Sequence, residues 1–234
     1  MPVILASYII KTLLLTKPLL ESSLFIKRTN LGVYIKNLAK HPYFESWKDP
    51  VTGVESYILN KRVAPIQQSF YFTNSSLSQN EDLLWFYTAY PPSPGKTLGV
   101  VSLDPDNPFI HHFPNAEFTS ASPMVAPEGD AVYFSTGGDI GFGTQGTSIW
   151  RMKIGEEPQR VCTLDVKFIN RRTVTRLATH LTMSADKRYF LVDGAFIGHW
   201  FIGLADIQTG EIKILKEFKN HYNHAQFSPV DPNL

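Results

Sequence analysis

The chain has 234 residues, of which 43% are hydrophobic, 13% aromatic and 18% charged, enough apolar material to bury one substantial core. A formal charge of +1 generates no field that would draw a nucleic acid or an anionic membrane, so neither is expected as a partner. With Cys162 as its one cysteine, the chain can form no internal disulfide and no cysteine-based zinc site. A cytoplasmic placement is expected, with a secreted or periplasmic one left open.

Residues 1–42 read as an extension outside the fold, helical or irregular. The segment is apolar and basic, but Lys11, Lys17 and Pro18 interrupt it before any run reaches the roughly 18 to 20 residues that a membrane span needs. It also lacks the charged start and the small-residue cleavage site of a secretory signal. The folded domain is expected over residues 43–234.

From about residue 65, short runs of β-branched and aromatic residues alternate with clusters of Pro, Gly, Asn and Asp. Four segments align without gaps: LSQNEDLLWF (77–86), VAPEGDAVYF (125–134), MSADKRYFLV (183–192) and FSPVDPNL (227–234). Each has an apolar residue, a small residue, a polar turn and then an apolar strand, the pattern of a turn between two antiparallel strands. The first three are each followed by a further β run, TLGVVSLD, SIWRMKIG and WFIGLADIQTGE, and the last of these ends in an Asp-x-x-Thr-Gly turn. Repeats spaced about 44 to 58 residues apart suit four-stranded propeller blades. The expected fold is an all-β, partial β-propeller of about three blades plus the first strand of a fourth.

In a blade the first strand lies against the central channel, and side chains alternate faces with a period of two. Three positions before the first aligned column stand Asn74, Ser122, His180 and His224; one position before it stand Ser76, Met124, Thr182 and Gln226. His180 and His224 are therefore expected on equivalent places of neighbouring blades, facing one cavity. His221, three residues before His224, should point to the opposite face, which argues against a joint metal site. The pattern leaves open whether these histidines are chemical or structural.

The segments QQSFYFTNSSLSQNEDLLWFY, RLATHLTMSADKRYFLVDG and NHAQFSPVDPNL resemble, in order and separation, successive blade starts of the oligogalacturonate lyase family of seven-bladed propellers. The likeness covers about residues 43–234. NHAQFSP resembles the family's Gly-His-Pro-x-x-x-Pro blade start, whose histidine is the general base; the resemblance implies that role for His224. It implies β-elimination on 4-linked uronides, with an acidic oligosaccharide as substrate. The C5 proton lies next to a carboxylate, so that charge must be neutralised before a neutral imidazole can take the proton and O4 can depart. The resemblance also implies a divalent metal, Mn²⁺ or Ca²⁺, whose histidine ligands would lie beyond residue 234; no metal ligand is assigned within the chain.

Twenty-five positions before His224, where the family arginine that contacts the carboxylate is expected, the chain has His199. Histidine cannot offer the bidentate fork of arginine, so ulvan or rhamnosyl-glucuronate glycans enter as alternative substrates. His180, Gln226, Arg176 and Asn74 are expected to bind substrate. Arg176 belongs to a basic cluster with Arg171 and Arg172, and Tyr222 is a conceivable acid for the leaving group.

A propeller normally closes its ring with four to eight blades. The chain is thus expected to be a fragment with weak or no activity alone, its oligomeric state open. GFGTQG (141–146) matches a dinucleotide fingerprint in letters only, because a strand rather than a helix follows it. His111 and His112 are expected in an exposed loop. Two functions compete: a uronide lyase, and a non-catalytic propeller serving as a binding platform. A peptidase cap is weaker, since no Gly-x-Ser-x-Gly elbow is present.

Overall fold

The computed structural model describes residues 4–5, 38–118, 123–137, 147–165, 172–178, 180–228 and 230–231. β1 (Ile4–Leu5), β2 (Phe44–Lys48) and β3 (Glu55–Leu59) form an antiparallel sheet in the order β1–β3–β2. Of the N-terminal extension only β1 and residues from 38 onward are described, so its expected helical or irregular character falls largely outside the described residues.

Three blades follow. The first is β4 (Ile66–Gln68), β5 (Leu83–Ala89), β6 (Lys96–Ser102) and β7 (Ile110–Phe118), hydrogen-bonded in that order. The second is β8 (Met124–Val125), β9 (Ala131–Gly137), β10 (Thr147–Lys153) and β11 (Gln159–Leu164). In the third, β12 (Val174–Leu177) and β13 (Thr182–Met183) both pair with β14 (Tyr189–Phe196), followed by β15 (His199–Asp206) and β16 (Glu211–Phe218). Neighbouring strands within each blade are antiparallel; the outermost strands β11 and β16 touch in parallel at Thr163–Leu164 and Glu211–Ile212. The chain is a partial β-propeller, nearly all sheet.

The repeats recognised in the sequence are one turn, built three times. Ser78, Ala126 and Ser184 each donate a backbone N–H across the turn, to the carbonyls of Leu83, Ala131 and Tyr189. Three residues on, Glu81, Gly129 and Lys187 adopt left-handed φ values of 59°, 89° and 62°. Glycine is the natural occupant of that conformation, yet two of the three copies hold a longer side chain there. The serines compensate. Ser78 Oγ accepts from the amides of Asp82 and Leu83, and Ser184 Oγ accepts from Tyr189 N–H. The Asp-x-x-Thr-Gly turn joins β15 to β16, with Asp206 Oδ1 accepting from the amides of Gln208 and Thr209.

Central strands are apolar on both faces because each blade is sandwiched. On β5, Leu83 and Trp85 face the second blade while Leu84 and Phe86 face β2 and β3; on β9, Val132 and Phe134 look back at the first blade while Ala131 and Tyr133 look on to the third. Period-two alternation between two buried faces writes a continuous apolar run. Trp85 Nε1–H donates to Gly129 O, and Ser135 Oγ–H donates to Leu177 O, so polar atoms at the blade interfaces are also partnered.

His111 and His112 lie on β7, not in a loop, opposite Val100 and Gly99 of β6. Pro114 lies in the same strand. β7 is the outer edge of its blade, and its register is broken between Lys96 and Leu98 of its partner, the setting in which a strand tolerates proline. Residues 219–228 form no described strand; they cross the inner edge of the third blade, tied by Phe227 N–H to Thr182 Oγ1. The 141–146 loop and residues 232–234 lie outside the described residues, while the segment after that loop is strand β10.

Candidate functional site

The site arises where the innermost strands break. In the third blade Val174–Leu177 and Thr182–Met183 pair with β14, and between these two pairings Ala178 stands at φ 51°. In the first blade the inner pairing stops at Gln68 and resumes at the Leu77–Leu84 bridge. Freed from the ladder, these inserts present side chains to the axis, and their backbone polar groups need other partners.

Asp193 supplies those partners. It is fully buried in the middle of β14, where an acidic residue is otherwise disfavoured. Its backbone carbonyl accepts from Ala178 N–H at 2.6 Å, Oδ1 from His180 N–H at 3.4 Å and Oδ2 from His224 N–H at 3.0 Å. One residue thus ties down both the inner-strand bulge and the segment that follows β16. His224 is held at φ 62°, a conformation costly for a non-glycine residue and maintained only where surroundings enforce it.

The result is a stacked imidazole pair: the His180 and His224 rings lie 3.7 Å apart between centroids, with planes 22° from parallel. His180 is buried and its Nδ1 has no hydrogen-bond partner, whereas His224 is exposed. Burial pushes the His180 pKa below its ordinary value, His224 and Arg176 push the same way, and Asp193 opposes them. Tyr71, from the insert of the first blade, closes the group, its ring 5.0 Å from that of His180 and 6.0 Å from that of His224.

Asn74 pins three blades together. Its Nδ2 donates to Pro123 O at 2.9 Å and to Leu181 O at 3.2 Å, in the second and third blades. Along the inner strands past this pin opens a cavity of about 670 Å³, lined among others by Asn74, Met124, Thr182, Gln226 and Phe227. The hub therefore has a histidine end and a mixed polar and apolar end.

Of the residues singled out in the sequence, the fold gathers His180 and His224 at the first end, and Asn74 and Gln226 at the second; Arg176, exposed on β12, lines a groove with Trp200 and His221 and reaches His180 only through its charge. His199 is elsewhere: it starts β15 opposite Phe196, and its charge is felt by Glu217 on β16. His221 packs on Trp200 and Tyr222 stacks on Phe218, both apart from the imidazole pair. Arg172 pairs with Glu217 through two hydrogen bonds and lies over Phe196; Arg171 falls outside the described residues. Gln67 is buried and binds Val63 N–H and Lys61 O. Asp193 and Tyr71 had not been picked out. For Asp193 the available sign was a lone carboxylate inside the apolar run YFLVDGAF; for Tyr71 nothing in its neighbourhood points to the hub.

Sheets radiating from a hub, with inner strands broken at the axis, define the β-propeller class. Among solved structures the chain is similar to oligogalacturonate lyase from Vibrio parahaemolyticus, with a TM-score of 0.56 and 14% identity over 80% of this chain and 50% of that one. It is likewise similar to an oligogalacturonate lyase in complex with manganese, at TM-score 0.57 and 13% identity, with the same coverage of 80% and 50%. The chain spans about half the length of these two structures, and at such identity the likeness is one of fold. No protein-family model and no curated protein sequence matches it. No helix among the described residues is long and apolar enough to cross a membrane.

Proposed function

We propose that the chain carries the base-bearing half of a propeller uronide lyase, cleaving 4-linked acidic oligosaccharides by β-elimination. The observation that carries this reading is the imidazole pair at the hub, one ring exposed and one buried, with its backbone clamped by a buried carboxylate. His224 takes the C5 proton. Burial lowers the His180 pKa and so favours its uncharged form, in which it supports the reactive ring by stacking without setting a second positive charge against it. Arg176, close enough to act on the charge of His180, is the cation for the substrate carboxylate, in place of His199. The electron pair released at C5 forms the C4–C5 double bond, and O4 leaves with a proton drawn from water. Fold similarity to two oligogalacturonate lyases supports the substrate class; ulvan and rhamnosyl-glucuronate glycans are the alternatives within it.

The divalent ion that the resemblance implies finds no ligand set among the described residues. The stacked imidazoles run their ring-nitrogen lone pairs side by side instead of converging on one point. Among the described residues no three His, Cys, Asp or Glu side chains are placed to hold a metal ion together.

One observation favours a binding platform instead: Asp193 engages the two histidines through their backbone amides, so among the described residues neither ring has a carboxylate orienting it. Turnover decides between the two. With oligogalacturonate, ulvan and glucuronate-capped glycans as substrates, the lyase forms an unsaturated uronide that absorbs in the ultraviolet, and His224→Ala lowers its rate by about 10²-fold or more. Absence of product from every uronide favours the platform.

A further inference from the structure

Phe72 is 83% exposed and Tyr71 43% exposed, side by side at the hub. Exposed aromatic rings on a mobile loop would be unremarkable, but these are held. Tyr71 O accepts from Asn74 N–H at 2.9 Å, closing a tight turn with Phe72 and Thr73 at its tip. Phe70 N–H donates to Ser76 Oγ at 2.8 Å, fastening the base of the loop, and the Asn74 amide anchors the turn to both neighbouring blades. The two rings lie 4.3 Å apart with planes 41° from parallel, and Tyr71 also touches the imidazole pair. A folded chain gains nothing by fixing a phenyl ring in water.

We infer that Tyr71 and Phe72 form a stacking platform for a pyranose ring, seating the sugar unit next to the one presented to His224. A pyranose has a C–H face and a hydroxyl rim, so it fits a patch the size of two rings bordered by polar groups; a protein partner or a lipid surface would call for a far larger apolar area. On this side of the hub the Tyr71 ring borders His180 and His224, and His224 is the group that meets the acidic unit in the proposed reaction. The platform therefore contributes affinity through the shape of a sugar, and the histidine end contributes selectivity for its charge. The inference rests on the saccharide reading above but not on catalysis.

Titration calorimetry with trigalacturonate, an ulvan-derived disaccharide and neutral cellotriose tests it on the full chain. Phe72→Ala is expected to raise the Kd of the tightest-bound saccharide by about tenfold, Tyr71→Ala by at least as much, and Phe72→Trp to leave it within about twofold. Phe72 is exposed, so its removal leaves the core packing in place, and an unchanged circular dichroism spectrum checks this. Affinity indifferent to Phe72→Ala, or no binding of any of the three saccharides, overturns the platform. Binding that depends on the aromatic pair without turnover leaves the platform standing and removes the lyase. Turnover with affinity indifferent to the pair does the reverse.

Discussion

The faces between blades and the hub are built from the same strands under opposite rules. Between the second and third blades, Ala131, Tyr133, Ile149, Phe190, Val192 and Phe201 pack in one apolar cluster, and the central pairings β9–β10 and β14–β15 run unbroken. At the hub the ladder is broken, two non-glycine residues, Ala178 and His224, hold left-handed φ values, a carboxylate is buried and a histidine nitrogen lacks a partner. The first region is stable because local and global preferences agree. The second spends part of that stability to hold side chains in an arrangement that no local preference would produce, which is where function is to be sought.

The largest test of this contrast lies in the dry region. Phe190→Ala removes a fully buried ring between Tyr133 and the core of the third blade and should cost about 3–5 kcal/mol, read as a lowered urea midpoint. Asp193→Ala leaves the amides of His180 and His224 without their acceptor and should cost about 1–3 kcal/mol, while abolishing turnover or saccharide binding. A loss of stability as large as that of Phe190→Ala would make the hub another piece of core and dissolve the contrast. Next to it, Gly194→Ala would drive a methyl group onto the Phe201 ring across the strand pair, for about 1–3 kcal/mol.

Acidification should separate the regions by a smaller amount. Burial depresses the pKa of His180, His41 and His112 below the ordinary value of 6.5, so protonation favours the unfolded chain. Their stabilising contribution is complete above about pH 6.5 and is lost as pH falls from there through the depressed folded-state values. Urea midpoints should therefore drop between pH 7.5 and 5.5 by ordinary assay conditions, about one unit either side of that value, and His180→Gln should lessen the drop. The smallest effect belongs to His224→Ala: an exposed ring is lost, stability moves by no more than about 0.5 kcal/mol, and function disappears.

Much of the fold was legible because its signals are local. Ser78, Ala126 and Ser184 announce their turns by spacing and turn chemistry, and the runs after them alternate as strands must. His111 and His112 were expected in a loop and lie on a strand that also holds Pro114, tolerated because β7 is an edge, a fact of sheet order. The hub was only partly legible. Equivalent positions in successive repeats bring His180 and His224 to one place, whereas the family resemblance set His199 at the carboxylate and the hairpin carries it toward Glu217.

By itself, then, the sequence determined the class of fold, the blade boundaries and the repeat positions that reach the axis, because period-two alternation and turn formation act over a few residues. Tertiary structure decided that Asp193 clamps two histidines, that Asn74 joins three blades and that Tyr71 and Phe72 stand beside the imidazoles. Those meetings depend on how far each sheet rotates about the hub and where its inner strand breaks, and both are fixed only when the blades pack against one another.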